Sequence, residues 1–314
     1  MHKNTMKGIY FAVATSFISG VSLFLNKFAV EAVKPPLLLT TSKNVLVGVA
    51  LVSMIILLKK HTKIGALSRN DLAKLLAIAV IGGSVPFYLF FTGLASIPAI
   101  NGAIIHKSLV LWVAILAVPF LREKISWLSL TAVILLFIGN IYIGGFTGFK
   151  VSQGELMIVV ATIMWAVETI IAKKILHHVD PDVVAAFRMG LGSIILAGVM
   201  IVIQPTVLNQ IASWNMTQFF WVMVTSVLLL GYVATWYRAL AYAPATVVTS
   251  VLVFATVITN VLSALFVTHT WSTAMLVQSL LICGGIMFAY LALKRASSAV
   301  ASDDALHREH QASI

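Results

Sequence analysis

The sequence predicts an all-α integral membrane protein: ten transmembrane helices arranged as two inverted five-helix repeats, with both termini cytoplasmic. Three observations lead there. Sixty percent of the 314 residues are hydrophobic and only 10% are charged. A soluble domain carries roughly 25% charge, so these residues cannot build a water-soluble shell. The apolar residues fall into ten continuous runs, each close to the ~20 residues a helix needs to cross a bilayer. Finally, a shift of 146 positions lays the second half of the chain on the first.

The first run, Gly8–Val30, follows Lys3 and Lys7. It is too long for the apolar part of a signal peptide and lacks a convincing cleavage site, so it counts as a span. Pro36–Leu58 is the second and stops at Lys59, Lys60 and Lys63. Leu72–Ala95 is the third. The fourth, Ala99–Leu121, closes on Arg122 and Lys124, and Trp127–Gly145 is the fifth. Gly154–Ala172 is the sixth and closes on Lys173 and Lys174. Val183–Ile203, the seventh, follows Asp180 and Pro181, an N-cap residue and a first-turn proline, and this capping explains the His177-His178-Val179-Asp180 loop better than a metal does. Gln218–Leu240, Thr246–Thr268 and Thr273–Leu293 complete the set, the last closing on Lys294 and Arg295. A membrane β-barrel would alternate polar and apolar residues, and these runs do not. The chain thus divides into a cytoplasmic N-terminus (1–7), two halves (8–146 and 154–293) and a polar, disordered cytoplasmic tail (294–314).

Charge orients the chain. With the N-terminus inside, only Lys27, Lys34 and Lys150 fall in outer loops, and Lys43, Lys107 and Arg188 lie within runs. The other fifteen of 21 basic residues mark the cytoplasmic side, as the positive-inside rule requires. The net charge of +11 then needs no nucleic acid, and no nucleic-acid module is present. A single cysteine, Cys283, excludes a disulfide scaffold and reads as buried and inert.

The repeat is specific. Gly8 meets Gly154, Lys27 meets Lys173, and Gly139 meets Gly285. Leu94-Ala95-Ser96-Ile97-Pro98-Ala99 meets Leu240-Ala241-Tyr242-Ala243-Pro244-Ala245. A one-residue adjustment places Lys43 on Arg188. Five spans per copy is an odd number, so the second copy lies inverted in the membrane, a common plan of secondary transporters.

Leu-Ala-x-x-Pro-Ala opening each fourth helix, Trp165-Ala166 followed by Lys173, and Leu121-Arg122-Glu123-Lys124 together resemble the drug/metabolite transporter superfamily, specifically EamA-type proteins, over residues 8–293. The family's first-span tryptophan is Ser19 here, and His269 stands opposite Glu123. The resemblance implies an inner-membrane carrier that moves small metabolites such as amino acids, often outward, without hydrolysing ATP. No phosphate-binding loop contradicts that. It implies no cofactor and no metal. The partners expected are a small-molecule substrate, the lipid bilayer and a coupling proton, with the chain a monomer or homodimer.

Ionisable residues in hydrocarbon are costly and mark pathways or internal pairs. Lys107, within Asn101-Gly102-Ala103-Ile104-Ile105-His106-Lys107, is either a cationic anchor for a substrate carboxylate or phosphate, or half of a buried ion pair. Glu168, one turn from Trp165, is a proton carrier, a site for a substrate amine, or the partner of Arg188 at similar depth; the pair is the favoured reading. Lys43 reads as snorkelling to the outer interface, and Asn26 and Lys27 as interface anchors. Asn140 and Asn260 read as interhelical hydrogen-bond glue. Trp165, Trp112, Tyr88, Trp236 and Tyr237 are candidate cavity walls. The substrate set is therefore Lys107, His106, Glu168, Trp165, Asn101, Tyr88, Trp236 and Tyr237, with Glu168, Arg188 and Lys43 as a coupling or ion-pair group. A membrane-embedded enzyme would need a nucleophile and base or metal ligands, and no such set is found. A non-transporting scaffold remains the other alternative to a secondary transporter exporting an amino-acid-like solute or organic anion.

Overall fold

The computed structural model describes residues 3–312 apart from Ala66 and residues 142–147; side chains at 3, 99, 100, 140, 208 and 296–312 also lie outside the description, and with them the reading of Asn140. Among the described residues the backbone is helical with no strand. The first repeat comprises α1 (Lys3–Ala32), α2 (Pro36–Leu57), α3 (Arg69–Gly83, resuming as Val85–Leu94), α4 (Ala99–Lys107, resuming as Leu109–Leu121) and α5 (Trp127–Ile141). The second comprises α6 (Gln153–Ile175), α7 (Pro181–Ile203), α8 (Met216–Tyr242), α9 (Ala245–Thr268) and α10 (Thr273–Ala312). Nine of these contain a stretch long and apolar enough to cross a membrane. The exception is α5, whose apolar part is Trp127–Gly139; the end of the expected fifth run lies outside the described residues.

Local chemistry sets the helix starts. Ser152 with Glu155, and Asn215 with Gln218, form reciprocal capping boxes on α6 and α8, each satisfying two otherwise orphaned N–H groups. Ser68 caps α3, and Asp180 caps α7 with Pro181 in its first turn. At the far end, α10 runs on to Ala312. The backbone of the segment expected as a disordered tail is thus helical.

Each repeat's first helix packs on the other repeat's third. Gly8 of α1 lies against Ala243 at the end of α8, and its counterpart Gly154 of α6 lies against Ser96 and Ile97 after α3. A Cβ at either glycine would collide, so these two positions set the crossings. α5 and α10 pair beside this core, with Gly285 seated on Leu136 and Gly139 on Leu281 and Ile282. The small residues of α10 are therefore used inside the monomer. Asn260 donates to Gln278 at 2.7 Å, tying α9 to α10 as expected. Cys283 is exposed on the outer side of α10, which corrects its reading as buried.

Packing is uneven between the two faces. The largest apolar cluster gathers Ile55, Leu75, Ala117, Ile175, Val183, Leu240 and Ala245. All sit at helix ends on the face that holds the N-terminus. The opposite face has only smaller clusters, such as Ala29, Leu39, Met200 and Val222. The larger apolar core therefore lies toward the N-terminal face.

Two helices of the second repeat are each one residue longer than their counterparts, and the connections just before the first and just after the second are each one residue shorter. Helix α2 has 22 residues and α7 has 23, and α7 contains a π-helical turn at Phe187–Leu191. The fourth helix spans Ala99 to Leu121, 23 residues, whereas α9 has 24 and contains a π-helical turn at Ala264–Thr268. The offset is therefore 145 at Pro36 and Pro181 but 146 at Leu57 and Ile203. After α9 it reaches 147, where Arg122 and His269 both adopt the left-handed conformation (φ 56° and 50°). His269 thus stands at the place of Arg122, and Thr270 stands opposite Glu123. At a uniform offset of 146 Glu123 falls opposite His269, and the extra residue of α9 moves that place to Thr270.

Candidate functional site: a central basic and aromatic cavity

Between the repeats lies a cavity of about 250 Å³. It shares Asn26, Lys43, Phe90, His106 and Leu109 with a wider mouth of about 520 Å³, which reaches Lys27, Val30 and Leu94. Those three residues end α1 and α3, so the mouth opens on the face opposite the N-terminus.

The inner wall is built from α3, α6 and α7. Trp165 is 8% exposed and its indole N–H donates to the Gly82 carbonyl at 3.0 Å. Gly82 permits this approach: a Cβ there would strike the side chain of Glu168 and crowd Arg188. Phe87, Phe90 and the His106 ring surround the indole, with the histidine edge-on at 4.9 Å. His106 Nδ1 is buried without a hydrogen-bond partner. Trp236 closes the far side, stacked on Tyr232.

Three cations line this space. Arg188 is 7% exposed, and its Nε finds no acceptor. Lys43 does not snorkel outward. It turns into the cavity and donates to Asn26 Oδ1 at 3.1 Å, and Asn26 donates on to Ser22 Oγ at 3.1 Å. This corrects both the snorkelling reading and the reading of Asn26 as an interface anchor. Lys107 ends the first segment of α4, beside the break at Ser108, and faces the mouth. It makes no hydrogen bond or ion pair with a described residue, so the ion-pair reading finds no support.

Glu168 is the one carboxylate among the residues lining the inner cavity. It is 2% exposed and accepts a 2.5 Å hydrogen bond from the Tyr237 hydroxyl. Arg188 acts on it electrostatically, but no N···O contact within 4 Å joins them among the described residues. The favoured pairing is thus a through-space compensation, with Tyr237 as the direct partner.

Of the expected site residues, Lys43, His106, Lys107, Trp165, Glu168, Arg188 and Trp236 come together in the cavity and its mouth. Tyr237 is fully buried behind Glu168. Asn101 is elsewhere: it donates to Glu155 Oε1 and the Gly148 carbonyl, holding the loop before α6. Tyr88 does not line the cavity. Sequence reasoning missed Phe87, Phe90, Phe91 and Tyr232. The signal for two of them was the repeat, since Phe90 and Phe91 lie 146 positions before Trp236 and Tyr237.

The face that holds the N-terminus is sealed by polar contacts. Lys173 Nζ donates to the carbonyls of Leu240 (2.6 Å) and Ala243 (2.8 Å). Glu123 accepts from the amides of Ala245 and Thr246 and from the Thr246 hydroxyl. Asp182 joins Lys60 and Arg238, and His178 approaches Asp71 at 3.1 Å. These contacts account for the His177–Asp182 loop, and no group that would hold a metal ion occurs among the described residues.

The model of the EamA-like transporter family matches the chain twice, over residues 6–145 and 152–291. Among curated relatives, a protein of Archaeoglobus fulgidus is 27% identical over 60% of this chain and 65% of its own length. One of Methanothermobacter thermautotrophicus is 23% identical over 44% and 42%, respectively, and one of Synechocystis is 23% identical over 45% and 43%. Each is named as an uncharacterized transporter, and the chain spans 42–65% of their lengths. A solved crystal structure, 17% identical, covers 93% of this chain and 98% of its own with a TM-score of 0.75, so the fold is shared. With both halves matched by one family model and the inverted pairing of α1 with α8 and α6 with α3 in place, the chain is a multi-pass membrane protein that belongs to the EamA-like transporter family.

Proposed function

We propose that the protein is a secondary transporter for a small organic anion with an apolar or aromatic body, working by alternating access. The observation that carries this is the cavity's charge: Lys43, Lys107 and Arg188 face a single carboxylate, Glu168, between aromatic walls. An anionic head lies among the cations, where low dielectric strengthens the attraction. The body rests on Phe90, Trp165 and Trp236, which supply apolar area. An amino acid fits the same site, with its carboxylate toward Lys107 and its amine toward Glu168. The bias of basic residues toward the N-terminal face supports cytoplasmic termini, and in that orientation the mouth faces outward. Glu168 exchanges the coupling proton, and net export follows from the gradients of solute and proton.

Flux in proteoliposomes tests this. Small carboxylates should move saturably, and Lys107→Ala should raise KM at least about tenfold, the value of one charge-assisted interaction. A carrier that moves organic cations in preference to anions would contradict the reading. Under proton coupling, flux varies with pH and Glu168→Gln abolishes that variation; a flat profile in the unsubstituted protein removes the proton alone.

A further inference from the structure

Lys173 and Lys27 occupy equivalent positions in the two repeats, yet only one is engaged. Lys173, near the end of α6, holds the carbonyls of Leu240 and Ala243 at the end of α8. Lys27, near the end of α1, makes no hydrogen bond or ion pair with any described residue and stands exposed in the mouth. The counterparts of Leu240 and Ala243 are Leu94 and Ile97 at the end of α3, and Leu94 lines that same mouth. At the closed face, the end of α8 meets both α1, through Gly8, and α6, through Lys173. At the open face, the region after α3 meets α6 through Gly154, but Lys27 of α1 stands away from it.

We infer that Lys27 and Lys173 are alternating latches. In the opposite conformation Lys27 donates to the Leu94 and Ile97 carbonyls and closes the mouth, while Lys173 releases α8 and opens the N-terminal face. The inverted repeat supplies the physical reason: one set of contacts, made in either copy, yields two closures of the same kind. A lysine suits this task because its flexible stem carries three rotatable donors, enough for two carbonyls at a frayed helix end. The two latches are not equally supported. Glu123 reinforces the Lys173 side by capping α9, whereas Thr270 stands at its structural counterpart. The Asp182 bridge to Lys60 and Arg238 has Leu37 as its counterpart. The form with the N-terminal face closed is therefore the favoured one.

This inference rests on the alternating-access reading, and its test reads conformation without any substrate. In purified Cys283→Ser protein, one cysteine is introduced at Val30 (Val30→Cys), in the mouth, or at its counterpart Leu176 (Leu176→Cys), 7% exposed at the closed face. Labelling rates with a bulky polar maleimide are then measured. Lys27→Met should slow labelling at position 176 by about tenfold or more, the loss of one charge-assisted hydrogen bond, and leave position 30 fast. Lys173→Met should do the reverse. Lys27→Met removes no contact present in this conformation, so it decides the matter even if Lys173→Met fails to fold. Unchanged or faster labelling at 176 in Lys27→Met overturns the latch, and so does a Leu176→Cys protein that never reacts. Labelling that responds as expected in a protein showing no flux would leave the latch standing and count against the transport reading alone.

Discussion

Removing one oxygen atom from a fully buried side chain offers a direct measure of how the cavity's carboxylate is held. In Tyr237→Phe the ring stays and the hydroxyl goes, leaving Glu168 without its 2.5 Å donor. Both residues are shielded, at 0% and 2% exposure, so water does not replace the lost bond. A hydrogen bond to a charged group contributes about 1.5–3 kcal/mol, whereas one between neutral groups contributes about 0.5–1.5 kcal/mol. Converted at roughly 2–4 °C per kcal/mol, Tyr237→Phe should lower the unfolding midpoint by about 3–12 °C. In a Glu168→Gln background the acceptor is neutral, and the same substitution should cost less. A double-mutant cycle in detergent, followed by intrinsic fluorescence on heating, gives the coupling directly. A Tyr237→Phe protein melting within about 1 °C of its parent would refute the direct bond and return Glu168 to a simple pair with Arg188.

Three further outcomes are expected. Ser19→Trp restores to α1 the ring that α6 carries as Trp165, filling much of the 250 Å³ chamber; flux should vanish while the melting temperature holds, and retained flux would place the solute path elsewhere. Gly83→Ala drives a methyl group into the backbone of Arg188 and Gly192, and such overpacking costs about 1–3 kcal/mol, visible as a lower midpoint; an unchanged midpoint would mean the helices separate freely. At the N-terminal face, burial alone would raise the Asp180 carboxyl, but its hydrogen bonds to Lys60 and the Asp182 amide, together with the charges of Lys60 and Lys63, hold it below the usual range. A depressed folded-state value means the contribution is complete above the ordinary Asp value of about 3.9 and is lost as pH falls through the lower one. Lys60→Met should therefore be less stable than its parent at neutral pH and lose less of its stability on acidification, so that the two curves converge at low pH; superimposable stability–pH curves would speak against the bridge.

Much of the architecture was legible because bilayer physics writes it in composition. Runs of apolar residues and the 146-residue shift are long-range regularities that no local detail overrides. The site was legible in part. Lys107, Glu168, Arg188 and Trp165 stood out as polar or aromatic groups in an apolar field. What the sequence could not show was direction. Lys43 turns inward because Asn26 waits one helix away, and Asn101 turns toward Glu155; neither choice is encoded near those residues. The breaks at Ser84 and Ser108 also escaped, since a helix can be interrupted without any change in hydropathy. The π-helical turns were hidden for a related reason. One added residue in an apolar run leaves the run apolar, and it shows only as a drifting offset whose origin needs coordinates.

Those two extra residues carry a consequence for kinetics. An extra residue in a helix would turn everything beyond it by about 100°, but the π-helical turns at Phe187–Leu191 and Ala264–Thr268 take it up locally, so the asymmetry between the repeats is concentrated in those two widened turns. Under the alternating-access reading, the inside-open shape would be an imperfect reflection of the outside-open one, differing at those turns, and a solute would pass two doorways of unequal lining, with unequal rates of entry and escape but the same overall equilibrium in both directions.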